Sequence, residues 1–105
     1  MSLIIVSNYD EENNIQVISP NGEIDLSTAE QFKSELKKAT DEKITDILID
    51  MSNLDYIDSS GLGIMIGTLK RLKLQNKDIY LKNVKDNVKK VFIITGLDKI
   101  FKMEV

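Results

Sequence analysis

Short β-branched runs alternate with segments of helical period along most of this chain, and no other feature restricts its fold as much. The stretch "SLIIVSNY" (2–9) is apolar and β-branched, and the polar "DEENN" after it separates it from a second β-like run at 14–19, so the chain opens with a hairpin. "STAEQFKSELKKAT" (27–40) begins with Ser27 and has Glu30 three residues on, a capping-box arrangement, while Ala29, Phe32, Leu36 and Ala39 repeat at helical spacing. The spacing predicts a helix that buries one stripe. "ITDILIDM" (44–51) reads as a largely buried strand. From 59 to 74 the positions Leu62, Met65, Ile66, Leu69 and Leu72 follow a period of about 3.6, which predicts a helix despite Gly61, Gly63 and Gly67. "DIYLKN" (78–83) alternates as a strand, and "DNVKKVFIITG" (86–96) predicts a further helix with Val88, Val91, Phe92 and Thr95 on one side and Gly96 past its end. "KIFKMEV" (99–105) supplies a last short strand.

Strands that alternate with helices through short crossovers pair in parallel. The expected fold is therefore α/β, one small domain over 1–105, with a mixed sheet of four to five strands and helices packed against it. Pro20-Asn21-Gly22 is expected to kink the second strand at a sheet edge, because proline donates no ladder hydrogen bond.

A length of 105 residues, with 42% of them hydrophobic, is enough for one core without staples. The chain has no cysteine, which removes disulfides, thiolate chemistry and cysteine-ligated zinc. It also has no histidine, so no Ser-His-Asp triad and no His-based metal site can form, and neither a cofactor nor a metal is expected. The net charge of −3, with Arg71 the single arginine, works against a nucleic-acid partner, since phosphate neutralisation needs a basic face and bidentate base recognition draws on arginine. The apolar clusters at 3–6 and 62–66 are far too short to cross a bilayer, and the first residues carry no basic signal-peptide region. A soluble, cytoplasmic protein that is monomeric when free is the expectation.

"DYIDSSGLG" (55–63) places two adjacent hydroxyls between a carboxylate and a glycine at the start of the predicted 59–74 helix. Nucleophilic catalysis would need a base beside the serine, and without histidine only a lysine remains, none of them close in sequence. A phosphate-cradling glycine loop fails on spacing: Gly67 comes one residue late for the dinucleotide fingerprint, and no Gly-Lys-Ser or Gly-Lys-Thr follows. For Gly63 and Gly67 the plainer reading is that small residues let this helix sit close to the sheet. Asp58 suits a helix N-cap with the serines as first-turn residues. Alternatively one serine is a modification switch, for a phosphate in the first turn faces free amides and the positive end of the helix dipole. A partner fitted to the unmodified turn would then meet new negative charge beside Asp55 and Asp58.

"NGEIDLSTA", "ILIDMSNLDYIDSSGLGIM" and "NVKKVFIITGL" together resemble, in order and spacing, the STAS domains (sulfate transporter and anti-sigma factor antagonist), and in particular the small bacterial anti-sigma factor antagonists. The likeness covers almost the whole chain. It implies a non-catalytic regulator of transcription whose unmodified form binds an anti-sigma factor with ATP-dependent serine kinase activity and so frees a sigma factor. The same resemblance implies phosphorylation on the first serine of the motif, here Ser59, release of the partner, and resetting by a metal-dependent serine phosphatase. It places Asp25, Asp58, Ser60 and Gly61 at the partner-binding surface. Helix cap and partner contact are compatible roles for Asp58, and the Ser60 hydroxyl is suited to positioning the loop. The rival is a binding or scaffold module that offers the same turn to a protein or a nucleotide without being phosphorylated.

Overall fold

The computed structural model describes residues 2–103. The opening hairpin forms as expected: β1 (Leu3–Asp10) pairs antiparallel with β2 (Ile15–Ile24), Leu3 opposite Gly22 and Asp10 opposite Ile15. Asn14 closes the turn at φ 50°, a left-handed conformation that asparagine tolerates, and its side-chain oxygen accepts from the Tyr9 hydroxyl at 2.6 Å. Beyond the hairpin lie α1 (Ala29–Glu42), β3 (Asp46–Asp50), β4 (Leu54–Ile57), α2 (Ser59–Lys73), β5 (Ile79–Lys82) and α3 (Asp86–Ile94). A 3-10 turn over Leu97–Lys99 leads to the short β6 (Lys102–Met103). The last two residues of the run read as a final strand, 104–105, lie outside the described residues.

Among the described residues the sheet has six strands, one more than the upper expectation. Its order is β1-β2-β3-β5-β6, every pairing after the hairpin is parallel, and β4 joins off this path by pairing with β2. The unforeseen strand is β4. Its burial runs buried-exposed-exposed-buried over four residues, so it carries no period-two signal. It is a strand because the backbone of Gly22 to Ile24 offers it a partner.

β2 is long enough to serve two neighbours on one side. Ile15 to Ile18 pair with β3, and Gly22 to Ile24 pair with β4 after a register shift between Gly22 and Glu23. Pro20 therefore does not kink an edge strand. It lies inside a central strand, opposite Ile5 of β1 and between the residues that pair with β3 and those that pair with β4. The Gly22 N–H points to the β4 side, where it donates to the Asn53 carbonyl at 3.0 Å, and by strand alternation the Pro20 nitrogen points the same way. There neither β3 nor β4 pairs with it, so the missing donor leaves no ladder bond unmade.

All three helices bury side chains in one core with one face of the sheet. Phe32 and Leu36 from α1, Met65 and Leu72 from α2, and Phe92 from α3 meet Ile18, Ile24, Ile47, Ile49 and Leu81 from the strands. The stripe of α1 is buried as its spacing predicts, at Ala29, Phe32, Leu36 and Ala39. On α3 the buried positions are Val88 and Phe92, with Val91 half-buried; Thr95 instead lies exposed at the helix end, its hydroxyl donating to the Val91 carbonyl at 2.7 Å. Gly96 follows at φ 75°, the left-handed position past a helix end where glycine is favoured.

Buried Gln16 of β2 ties the sheet to the end of α1. Its amide Nε2 donates to the Lys43 carbonyl at 2.9 Å, a group that the helix C-terminus leaves open, and at 2.5 Å shares the Ala39 carbonyl with the Lys43 N–H. Gln16→Met keeps the volume and removes the donor, so it is expected to cost about 1–3 kcal/mol in urea unfolding. An unchanged midpoint would show that these carbonyls need no side-chain partner.

Candidate functional site

The carboxyl ends of β2 and β4 lie side by side, with Ile24 paired to Ile57 and the Asp58 N–H donating to the Ile24 carbonyl at 3.2 Å. Each strand is followed by an aspartate that organises the turn into the next helix. In open α/β sheets this end of the strands is where binding crevices form.

After β2, Asp25 holds its turn through one oxygen. Oδ1 accepts from the Ser27 hydroxyl at 2.6 Å, from the Ser27 N–H at 2.9 Å and from the Thr28 N–H at 3.2 Å. Buried Thr28 accepts from the Asp25 N–H at 3.0 Å and donates to the Glu23 carbonyl at 2.8 Å. The capping box expected from Ser27 and Glu30 is thus not formed: α1 starts at Ala29 with Thr28 before it, and Ser27 turns its hydroxyl to Asp25. Ser27 lies one residue before the N-cap position that such a box requires, and its hydroxyl proton goes to the Asp25 carboxylate. The bond from the Ser27 hydroxyl, with the Ser27 and Thr28 amides, holds the Asp25 carboxyl below its ordinary 3.8.

After β4, Asp58 is the N-cap of α2, as predicted, with extended backbone at φ −116°. Its Oδ1 accepts from the Ser60 N–H at 2.9 Å and from the Ser60 hydroxyl at 2.5 Å. The two serines are thereby separated in kind. Ser60 is half-buried and committed to Asp58, which agrees with a loop-positioning role, whereas Ser59 is exposed and its hydroxyl bonds to no described residue. Asp55, on β4, is exposed and pairs with Lys85 at 2.5 Å, and its carbonyl accepts from Asn87 at 2.8 Å, which docks the start of α3 onto the site.

Gly61 is buried beneath this turn. A Cβ there would lie 2.5 Å from Ile24 Cγ2 and 2.9 Å from Ile57 Cγ1, closer than atoms pack, so the bare backbone lets α2 settle on both strand ends. The expectation that Gly63 and Gly67 serve close packing is overturned: a Cβ on either would meet nothing within 4 Å. Both are exposed and open a groove of about 590 Å³ between α1 and α2, with Ser59 and Ser60 at one end and Lys33, Lys37 and Arg71 along it. Sequence reasoning missed this groove. Its trace was the recurrence of Gly63, Gly67 and Arg71 every four residues, which puts them on one helix face, opposite Lys33 and Lys37 at the same interval on α1.

Two predictions follow from this geometry. Gly61→Ala is expected to cost about 1–3 kcal/mol by overpacking against the two isoleucines, while Gly67→Ala, freed of a helix-interior glycine, should gain about 0.5–1 kcal/mol. Urea midpoints of the two proteins moving in the same direction would contradict the assigned roles. Asp25→Asn is expected to lower stability most near neutral pH. A carboxyl held below its ordinary 3.8 contributes stability that is present above that value and lost as pH falls through the folded one. The deficit should therefore shrink on acidification below about pH 4, and a pH-independent deficit would mean that the charged form of Asp25 has no part in the turn.

The STAS domain family profile matches residues 7–105. An anti-sigma-B factor antagonist of Staphylococcus aureus is 35% identical over 80 residues, which are 76% of this chain and 74% of that protein. Among solved structures, an anti-sigma factor antagonist from Mycobacterium paratuberculosis shares the fold with a TM-score of 0.83 at 24% identity, covering 97% of this chain and 85% of that one. The Bacillus cell fate determinant SpoIIAA in its phosphorylated form does so with a TM-score of 0.72 at 24% identity, over 97% of this chain and 92% of the other. With a profile that spans the site and nearly all of the sheet, and relatives matched over most of both chains, this protein belongs to the STAS domain family.

Proposed function

We propose that this protein is an anti-sigma factor antagonist that works as a phosphorylation switch at Ser59. The observation that carries the reading is the contrast between the serines: Ser60 is held by the helix cap, and Ser59 stands exposed with a free hydroxyl at the first position of α2. The 35% identity to the Staphylococcus aureus anti-sigma-B factor antagonist supports the partner class. In the unmodified state the surface around Ser59 binds an anti-sigma factor that is also a serine kinase, and the sigma factor is released. Asp25, Asp58 and Ser60 shape and charge that surface, and buried Gly61 sets the height of the turn. The protein itself catalyses nothing; a metal-dependent serine phosphatase restores it.

The physics of the switch is local. A phosphate on Ser59 adds about −1.5 to −2 charge beside Asp58. It faces the first-turn amides and the positive end of the α2 dipole, so the domain tolerates it. The phosphorylated Bacillus protein keeps this fold, which is consistent with that tolerance. A partner fitted to the unmodified turn meets added negative charge instead, at a cost of several kcal/mol where that charge faces its own carboxylates, and each 1.4 kcal/mol is about tenfold in affinity.

The test is to incubate the protein with ATP and the anti-sigma factor of its own organism, then map phosphate by intact-mass and peptide spectrometry. One phosphate on Ser59 is expected. Ser59→Ala should take none and remain bound in the presence of ATP, and Ser59→Asp should bind at least about tenfold more weakly. A bare Ser59 beside a kinase shown to phosphorylate another substrate would overturn the switch.

A further inference from the structure

The groove between α1 and α2 is unexplained by a switch that acts through the Ser59 turn. Its lining holds three cations, Lys33, Lys37 and Arg71, and no carboxylate, in a chain whose net charge is −3. Lys37 is already paired with Asp41 at 2.6 Å. Neither Lys33 nor Arg71 has a salt bridge among the described residues, and Asp41 is the one carboxylate whose charge reaches Arg71, so three cations face one carboxylate, a surplus of two that matches one dianion. Arg71, the single arginine of the chain, spends one Nη donor on the Thr40 hydroxyl, which orients the guanidinium across the groove. The remaining donors of a guanidinium suit bidentate contact with a phosphate.

The middle of the groove offers little free polarity. From Arg71 toward Ser59 its α2 wall is formed by Ile64, the bare backbone of Gly67 and Gly63, and Thr68, whose hydroxyl is spent on the Ile64 carbonyl at 3.0 Å, over about 12 Å of helix. Both glycines sit at ordinary helical φ and make no close packing contact, so what they do here is keep the trough open. No aromatic side chain lines it, so nothing is placed to stack on a nucleobase. Its volume, about 590 Å³, lies within the range of small-molecule sites.

We propose that this groove binds a phosphate monoester with an aliphatic body, its head on Arg71 beside Lys37 and its body along Gly67, Ile64 and Gly63, past the stem of Lys33. The far end of the body abuts Ser59 and Ser60, so an occupied groove lies against the surface of the switch. The binding claim does not depend on phosphorylation of Ser59.

The probe is mono-octyl phosphate, titrated into the ¹⁵N-labelled full chain and followed by amide chemical shifts, with inorganic phosphate, 1-octanol and ATP as separate arms. Saturable shifts at Gly63, Ile64 and Gly67 are expected with octyl phosphate. Affinity should be at least about tenfold weaker for phosphate alone, for octanol and for ATP. Arg71→Gln should weaken octyl phosphate about tenfold or more by removing the head contact. Gly67→Leu should abolish the saturable shifts while the spectrum stays folded, because its side chain enters open space. The proposal is overturned if octyl phosphate gives no saturable shift, if inorganic phosphate or ATP binds as well, or if Gly67→Leu binds unchanged.

Discussion

The site depends on the approach of one backbone atom to two side chains. Gly61 lies against Ile24 and Ile57, the last residues of β2 and β4, and those two residues are paired neighbours in the sheet. With any larger residue the first turn of α2 would have to rise off the strand ends, since packed interiors have no slack for an extra methyl at 2.5 Å. Held at this height, α2 starts beside the Asp25 turn, and the carboxylates that follow β2 and β4 come to one edge of the molecule. The contact in turn needs β4 to be in the sheet, which needs β2 to be long enough to leave β3 and continue. Pro20 sits in the stretch between those two pairings, where a strand without a donor loses nothing.

Two aspartates that look alike in the sequence hold their turns differently. Asp58 caps α2 in the ordinary way and captures the second serine, so that the first is left free. Asp25 stands further from its helix and gathers Ser27 and the Thr28 amide, while Thr28 reaches back to Glu23. The result is a rigid frame around an uncommitted hydroxyl.

The helical and β segments with a strong period were legible. α1, α2 and β3 carry apolar residues at their own repeat over enough length to stand out, and Asp58 was readable as a cap because capping is a local hydrogen bond. The family signature also lies in contiguous motifs. β4 was not legible, because four residues with no alternation have no pattern of their own, and the Ser27 capping box was misread because Asp25 gathers Ser27 into its own turn and the helix begins one residue later, after Thr28. The glycines of α2 show the limit most directly. Gly61, Gly63 and Gly67 are equivalent on paper, yet one is buried against two isoleucines and two face open space.

The sequence by itself therefore determined the order of every element but β4, the parallel crossovers, most of the stripe that each helix buries, the cap at Asp58 and the chemistry that a chain without histidine or cysteine cannot perform. These are local or compositional properties, set by the period of side chains along a helix or strand and by the groups present. Only the tertiary structure decided that β2 is shared between β3 and β4, that Asp25 lies beside the Ser59 turn, that Ser60 is committed while Ser59 is free, and that α1 and α2 leave a cationic groove between them. Each of these depends on residues far apart in the chain meeting at one distance, which no window of the sequence contains.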